Sequence, residues 1–182
     1  GVSVESVEEG LICLRYPGVQ ALQVIFNLFR QKPLEQLFPE AHARGVGILV
    51  RLPLASGLLT GKFTKESKFE PDDHRNFNRN GESFNVGETF AGLPFELGVE
   101  LGVELADELR WIAEGRGTMA RAAQRWILES PEVSCIIPGF KNTAQVRENL
   151  LTLETPGFSE EERQRLRRFY EDKVAPHIRG PY

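Results

Sequence analysis

Cysteine, long apolar runs and secretion signals are scarce or absent in this 182-residue sequence. Its two cysteines, Cys13 and Cys135, have neither C-x-x-C spacing nor a histidine nearby, so we expect two buried free thiols in a reducing compartment. No apolar run approaches the ~20 residues of a membrane span, and no secretory signal is recognisable. The sequence therefore predicts a soluble, cytoplasmic protein without a membrane partner.

An excess of positive charge is also missing. Lys and Arg number 22 against 26 Asp and Glu, a formal net charge of -4, so nothing predicts a general affinity for nucleic acid. The residues are 41% hydrophobic and 26% charged, which is typical of a globular protein. We expect one domain over residues 1–182, a length that can bury its own core.

Familiar catalytic and metal-binding motifs are absent as well. The sequence contains no G-x-S-x-G, no H-E-x-x-H, no P-loop and no G-x-G-x-x-G. Its three histidines, His42, His74 and His177, fall in a predicted helix, a polar loop and the C-terminal tail, so we interpret them as surface residues rather than catalysts. The cluster Asp72-Asp73-His74 is interpreted as solvated charge, and no metal site is predicted.

Short apolar runs alternate with amphipathic segments along the chain. We expect strands at 21–26, 46–50 and 133–137, the first buried on both faces, and the end of a further strand at 1–4. Capping residues and apolar periods predict helices that begin at Val7, Pro33, near Glu96, after Thr118, at Asn142 or Thr143, and after Ser159. This order favours an α/β fold with parallel strands, a TIM-type (β/α) barrel of which this chain forms about half.

Three segments are candidates for binding chemistry because active sites of β/α folds lie at the carboxyl ends of the strands. Residues 50–61 form either an anion-binding turn, with Ser56 and Gly57, or a simple turn before the long polar loop 62–92. We expect that loop to be a functional lid or a mobile loop. Residues 136–149 place Lys141 before a helix start, as a phosphate site or as a solvated lysine. Gln23 interrupts an apolar strand, and its amide must find a ligand or a backbone partner.

Four segments resemble the aldo-keto reductase family in order and spacing. They are GVS at 1–3, LQVIFN at 22–27, VRLPLASGLLTGKF at 50–63 and IIPGFKNTAQVRENL at 136–150. The resemblance covers essentially the whole chain and implies the fifth to eighth strand–loop units of that (β/α)8 barrel, the C-terminal half that holds NADP(H).

The resemblance also implies a set of cofactor contacts distributed over these segments. They are Ser3 and Gln23 at the nicotinamide carboxamide, Arg51 against the nicotinamide ring, Leu54, Ser56 and Leu58 around the pyrophosphate, and Gly139, Phe140, Lys141, Gln145, Glu148 and Asn149 at the adenosine and its 2′-phosphate.

Several positions depart from the family pattern. Arg51 stands where many members have an aromatic ring, and a planar guanidinium can stack there instead. Gly139 and Gln145 stand where many members have a lysine and an arginine that grip the 2′-phosphate. Lys141 partly compensates, so NADP is the implied cofactor and NAD stays open.

The family's catalytic Asp, Tyr, Lys and His belong to the first four strands, and none of them maps onto this chain. We therefore expect no catalytic residue and no reductase turnover from the chain alone. The interpretation is a C-terminal, cofactor-binding part of an NAD(P)H-dependent reductase of aldehydes or ketones whose N-terminal half is missing. The alternative is a non-catalytic half-barrel that self-associates or pairs with a partner, with or without a bound dinucleotide.

Overall fold

A parallel four-stranded sheet is the framework of the protein. The computed structural model describes residues 1–77 and 95–178, with the backbone alone for His74, Phe77 and 95–100. The strands are β1 (Val2–Ser3), β2 (Ala21–Ile25), β3 (Gly47–Arg51) and β4 (Val133–Ile136), ordered β1-β2-β3-β4 with every neighbouring pair parallel. The α/β class predicted from the sequence is therefore confirmed.

Helices connect and cover the strands, as expected for parallel crossovers. They are α1 (Val7–Cys13), α2 (Leu37–Ala43), α3 (His74–Phe77), α4 (Phe95–Glu108), α5 (Met119–Leu128), α6 (Thr143–Leu150) and α7 (Glu160–Phe169). Short 3₁₀ segments occupy Lys32–Leu34, Ala55–Thr60, Arg110–Ala113 and Leu151–Glu154. None of the helices among the described residues is both long and apolar enough to cross a membrane.

The helix starts follow the capping chemistry of the sequence. Ser6 and Ser159 both form complete capping boxes, each with the glutamate three residues on. Thr118 accepts from the backbone N–H of Arg121, and Asn142 accepts from that of Gln145. The helix predicted from Pro33 is instead a 3₁₀ turn followed by α2, because the chain leaves helical geometry at Gln36.

One face of the sheet is covered and the other is partly open. Leu22, Val24, Ile48 and Val50 alternate along β2 and β3 and are at most 3% exposed. Gln23, between Leu22 and Val24, is only half-buried. The prediction of burial on both faces is confirmed only in part for β2, since Ala21 and Gln23 are half-buried whereas Ile25, on the same side of the strand, is 5% exposed.

Aromatic packing ties the covered face to α5. Phe26 follows β2 and is fully buried, with its ring 5.0 Å from that of Trp126 and 4.8 Å from that of Phe38. Such contacts add to the burial energy of the rings themselves. The core therefore lies between the sheet and helices α2 and α5, below the carboxyl ends of the strands.

The two cysteines are free, but they are not both buried. Cys13 at the end of α1 is half-buried and Cys135 on β4 is exposed. The expectation of two buried thiols is wrong for Cys135, because β4 is an edge strand of the described sheet.

A buried arginine joins the segment before α5 to the start of α7. Arg116 is 8% exposed, and its Nη2 donates to the Glu162 carboxylate at 2.7 Å and to the carbonyl oxygen of Gly157 at 2.9 Å. Its guanidinium carbon lies 4.0 Å from the centre of the Phe158 ring. Burial raises the pKa of Glu162, but hydrogen bonds from Arg116 and the Ser159 backbone outweigh it, so the pKa lies below its ordinary value.

Candidate functional site

Two loops meet at the carboxyl edge of the sheet. One leaves β3 after Arg51 and the other leaves β4 after Ile136, and these strands are hydrogen-bonded neighbours. The backbone N–H of Ile137 donates to the carbonyl oxygen of Val50 at 2.8 Å, which holds the loop bases together. The sheet topology thus brings the segments 50–61 and 136–149 side by side.

An open cleft of about 610 Å³ lies between these loops. Seven of the predicted contact residues line it: Arg51, Leu54, Ser56, Gly139, Phe140, Lys141 and Gln145. The described lining also includes Leu52, Pro53, Gly57, Thr60, Arg75 and Ile137. The described lining has three cationic side chains and no carboxylate, although Glu5 and Asp73 behind it pair with Arg51 and Arg75. Lys141 has no such partner in the lining, and its charge favours an anionic ligand.

The wall formed by the first loop has unusual backbone geometry. Leu52, Ala55 and Ser56 have φ values of 53°, 46° and 54°, and these are the non-glycine residues of the described chain with positive φ. Residues of this kind cost free energy and concentrate at ligand sites. The same turn brings Gly57, with φ of 101°, so close to Phe63 that a Cβ would lie 2.9 Å from the ring. A ligand can therefore approach the backbone of this turn closely, whereas a side chain larger than that of glycine does not fit at position 57.

Arg75 closes one side of the cleft. It donates from Nη1 to the carbonyl oxygen of Ser56 at 3.3 Å and from Nε to Asp73 at 2.8 Å, and a second contact joins Nη2 to the same carboxylate. Its guanidinium carbon lies 4.2 Å from the centre of the Phe69 ring and 5.4 Å from that of Phe63. The first part of the predicted lid is therefore folded back on the turn, while residues 78–92 of that prediction lie outside the described residues.

Arg51 forms the floor of the cleft near β1. Its Nη2 donates to the Glu5 carboxylate at 2.7 Å, which links the ends of β1 and β3 across β2. Nε of Arg51 is buried and has no hydrogen-bond partner among the described residues. A buried donor without a partner is costly unless a ligand or water accepts from it.

The second loop presents a lysine beside a capped helix. The backbone N–H of Lys141 donates to Oε1 of Gln145 at 2.6 Å, and Asn142 caps α6. The Lys141 side chain is exposed at the start of the helix, where the dipole also favours negative charge. Phe140 is 65% exposed beside it, an open aromatic surface at the cleft.

Ser3 and Gln23 lie together, beyond the lining of this cleft. They are register partners on β1 and β2, with Ser3 exposed and Gln23 half-buried. Gln23 also pairs in register with Leu49 of β3, two residues before Arg51. The two predicted carboxamide contacts therefore occupy one level of the sheet, on the side of β3 opposite β4.

Three predicted contacts point elsewhere. Leu58 is 1% exposed and packs in the core, where a Cβ on Gly102 would lie 2.8 Å from its Cδ1. Oδ1 of Asn149 accepts from Nε2 of the buried Gln124 at 3.1 Å. Glu148 accepts hydrogen bonds from the Arg121 guanidinium and the Thr118 hydroxyl, both from the start of α5.

The Glu148–Arg121 pair makes a pH-dependent contribution to stability. Hydrogen bonds from Arg121 and then from Thr118 hold the pKa of Glu148 below its ordinary value of 4.5. A carboxyl with a lowered folded pKa stabilises the protein above its unfolded pKa and loses that contribution as pH falls through the folded value. In urea unfolding near neutral pH, Glu148→Gln should therefore have a free energy of unfolding about 0.2–1 kcal/mol below that of the wild type, a deficit caused by the lost charge.

That deficit should shrink as the pH falls below about 4.5, the ordinary pKa of the group. The matched control is Glu161→Gln, at an exposed position on α7. A deficit of the same size at neutral and acid pH would mean that the charge of Glu148 is not the cause.

Two charged residues of the site were missed by the sequence reasoning. Arg75 lies in a polar stretch without periodicity, and the available signal was its spacing of two residues from Asp73, which allows an ion pair in a tight turn. Glu5 follows the short strand β1, and its pairing with Arg51 depends on strand order, which no local pattern reveals.

Comparison with known proteins identifies a family for this chain. The model of the aldo/keto reductase family matches residues 1–171. The L-glyceraldehyde 3-phosphate reductase of Escherichia coli O157:H7 is 32% identical over 119 residues, which cover 65% of this chain and 32% of that protein.

Two solved structures share the fold. The glycerol dehydrogenase AKR11B4 from Gluconobacter oxydans has a TM-score of 0.70 at 24% identity and is matched over 100% of this chain and 50% of its own. An aldo-keto reductase from Klebsiella pneumoniae in complex with NADPH has a TM-score of 0.57 at 20% identity, over 93% and 47%. The chain thus spans about half of these solved chains and about a third of the curated relative. On the family match and the shared fold, the chain belongs to the aldo/keto reductase family.

Proposed function

We propose that the cleft between the β3 and β4 loops binds a nicotinamide dinucleotide, as the cofactor-holding part of an oxidoreductase that reduces aldehydes or ketones. The observation that carries this proposal is the convergence of seven predicted contacts on one cleft with three cations and no carboxylate in its described lining. The Klebsiella pneumoniae reductase, which shares the fold, is in complex with NADPH and supports the choice of ligand.

The residues present fit such a cofactor in charge and shape. Arg75 and Lys141 supply positive charge for the pyrophosphate and a 2′-phosphate, groups that guanidinium and ammonium ions bind strongly. Phe140 and Arg51 offer planar surfaces, and Nε of Arg51 has an unused hydrogen to donate. The turn at Ser56 and Gly57 gives backbone groups close access.

At the other end, Ser3 and Gln23 would hold the carboxamide of the nicotinamide. Both side chains carry a donor and an acceptor, and they are adjacent in the sheet. The cofactor would then extend across the sheet from β4 to β1, with its adenosine end near Lys141 and Arg75 and its nicotinamide end near Arg51 and the Ser3–Gln23 pair.

Bound NAD(P)H would supply the hydride, and the residues of this chain bind and orient it. Reduction of a carbonyl also needs a proton donor near the ring. The described lining of the cleft has no tyrosine, histidine or carboxylic acid. We therefore propose that the proton comes from residues outside this cleft, in the part of the family barrel that corresponds to the first four strands, and that the chain alone turns over no substrate.

NADP is the preferred form of the cofactor in this proposal. At the positions that carry a lysine and an arginine in many relatives, this chain has the neutral residues Gly139 and Gln145. Lys141 restores one positive charge at the same cleft, and the Arg75 guanidinium lies there as well, paired with Asp73. Charge near the adenosine favours the form with the extra phosphate.

A titration of the protein with NADPH, followed by the fluorescence of the nicotinamide, tests the proposal. We expect saturable binding that weakens with added salt, and weaker binding of NADH. Arg168→Ala removes an exposed cation on α7 outside the cleft, and this control variant should bind NADPH as the wild type does. Absence of saturable binding by a folded sample would refute the proposed function.

A further inference from the structure

A partly buried ion pair supports the cleft at the end that is nearer to β1. Arg51, the last residue of β3, lines the cleft, and its Nη2 donates to Oε2 of Glu5 at 2.7 Å. The side chain of Arg51 is 15% exposed and that of Glu5 is 35% exposed. Glu5 is not part of the described cleft lining, so a ligand in the cleft contacts the guanidinium and lies farther from the carboxylate.

The backbone around Glu5 is fixed from both sides. On one side, the N–H of Val4 donates to the carbonyl oxygen of Gln23 at 3.0 Å. On the other side, Oε2 of Glu9 accepts from the N–H of Glu5 at 2.7 Å and from that of Ser6 at 3.2 Å, as part of the capping box of α1. A side chain on a fixed backbone has less freedom to lose when it forms an ion pair. Glu5 therefore holds the guanidinium from a defined position.

Arg51 keeps groups that the ion pair does not use. Its Nε is buried and has no hydrogen-bond partner among the described residues, whereas Nη2 binds Glu5. A guanidinium is planar, and planar groups stack on its faces. The proposed nicotinamide end of the cleft thus has a positioned cation where the ring would lie.

A second arginine lies near the same carboxylate. Arg30 is 2% exposed and lines a small cavity together with Glu5 and Ser6. The described lining of this cavity has one carboxylate, that of Glu5, and one cation, that of Arg30. The charge of Glu5 therefore acts on two nearby cations, and its loss makes this end of the site more positive.

The two redox forms of the proposed cofactor differ in the charge of the ring. The oxidised nicotinamide carries a positive charge, whereas the reduced ring is neutral. A cation against the ring raises the free energy of the bound oxidised form relative to the reduced form, and a nearby carboxylate opposes that effect. The charge balance between Arg51 and Glu5 thus affects the relative affinity for the two forms.

We propose that the Glu5–Arg51 pair sets the redox preference of the cofactor site. Arg51 disfavours the oxidised ring, and Glu5 is the positioning residue that holds Arg51 and limits this effect. The inference rests on the proposed function, because it takes the nicotinamide to lie against Arg51. The aromatic ring that many members of the family have at this position carries no positive charge, so the effect belongs to a chain with this ion pair.

Calorimetric titrations with NADPH and with NADP⁺ test the pair. The measured quantity is the dissociation constant for NADP⁺ divided by that for NADPH. Glu5→Gln removes the carboxylate charge and should raise this ratio about 3- to 10-fold, mainly by weakening the binding of NADP⁺. Arg51→Leu should lower the ratio by a similar factor, while both forms bind more weakly because a contact surface is lost.

Three controls separate charge from geometry. Glu5→Asp keeps the charge on a shorter side chain, so its ratio should stay close to that of the wild type. Glu8→Gln removes an exposed carboxylate of α1 that pairs with Lys32, and it should leave the ratio unchanged. Adenosine 2′,5′-bisphosphate, which has no nicotinamide, should bind the wild type and Glu5→Gln equally. Circular dichroism checks that each variant is folded.

The outcomes distinguish this inference from the proposed function. A folded wild type that binds neither NADPH nor NADP⁺ would refute the proposed function and the inference with it. Saturable binding of both forms, with the same ratio in the wild type and in Glu5→Gln, would overturn the inference alone. So would a ratio that moves in the same direction in Glu5→Gln and Arg51→Leu, because opposite charges must act on the ring with opposite sign.

Discussion

Replacing Arg75 with alanine is expected to weaken NADPH binding about 10- to 100-fold. A hydrogen bond to a charged group is worth about 1.5–3 kcal/mol, and Arg75 is one of three cations in the cleft lining. Fluorescence titration measures the change, and the slope of affinity against salt should also fall, since one phosphate contact is lost. Arg168→Ala on α7 is expected to bind as the wild type does.

Arg75 also packs on Phe63 and Phe69, so a purely structural effect must be separated from a direct contact. Asp73→Asn serves that purpose, because it removes the ion-pair partner and leaves the guanidinium in place. If Arg75 binds phosphate directly, Asp73→Asn should retain or increase the affinity for NADPH. Equal losses in Arg75→Ala and Asp73→Asn would contradict a direct contact.

Replacing Arg116 with leucine is expected to lower the free energy of unfolding by about 1–3 kcal/mol. Arg116 is the buried partner of the ion pair, whereas Glu162 is 28% exposed and keeps its hydrogen bond from the Ser159 backbone. The change therefore weakens the environment of Glu162 and also removes donors from the carbonyl oxygens of Gly157 and Ile112. Urea unfolding measures the loss. Arg116→Lys keeps a charge but lacks the forked donors of the guanidinium, so its free energy of unfolding should lie between those of the wild type and Arg116→Leu.

A double-mutant cycle with Glu162→Gln identifies the cause of that loss. If the pair is responsible, Glu162→Gln should cost little once Arg116 is leucine, and the coupling between the positions should exceed ~1 kcal/mol. Independent, additive losses would assign the effect of Arg116→Leu to its packing on Phe158 and its contacts with carbonyl oxygens.

The elements were predictable where local chemistry determines them. Ser6, Thr118 and Ser159 mark helix starts because their hydroxyls accept the first free N–H groups, an interaction within four residues of sequence. The burial of β2 was predicted less well, since the apolar character of Leu22 and Val24 does not show which face other elements cover. The burial of Gln23 and Cys135 depends on the strand order and on the sheet edges, which are properties of the tertiary fold.

The site residues likewise separate into those that local sequence identifies and those whose position depends on the tertiary fold. The loop bases at Arg51 and Ile136 could be identified because a strand end and a turn are local features. Arg75 lies in the short helix α3, 19 residues beyond Ser56, and it reaches the cleft through contacts that no sequence periodicity encodes. Leu58 could not be oriented from sequence, because the turn at Ala55 and Ser56 has left-handed geometry that changes the direction of the following side chains.

Binding of a nicotinamide dinucleotide in the cleft between the β3 and β4 loops is tested most directly by hydrogen–deuterium exchange of the protein with and without saturating NADPH, because exchange reports where amides are protected. We expect added protection within residues 51–61 and 137–145, the two segments that line most of the cleft. Unchanged exchange there, or protection confined to other parts of the chain, would contradict it.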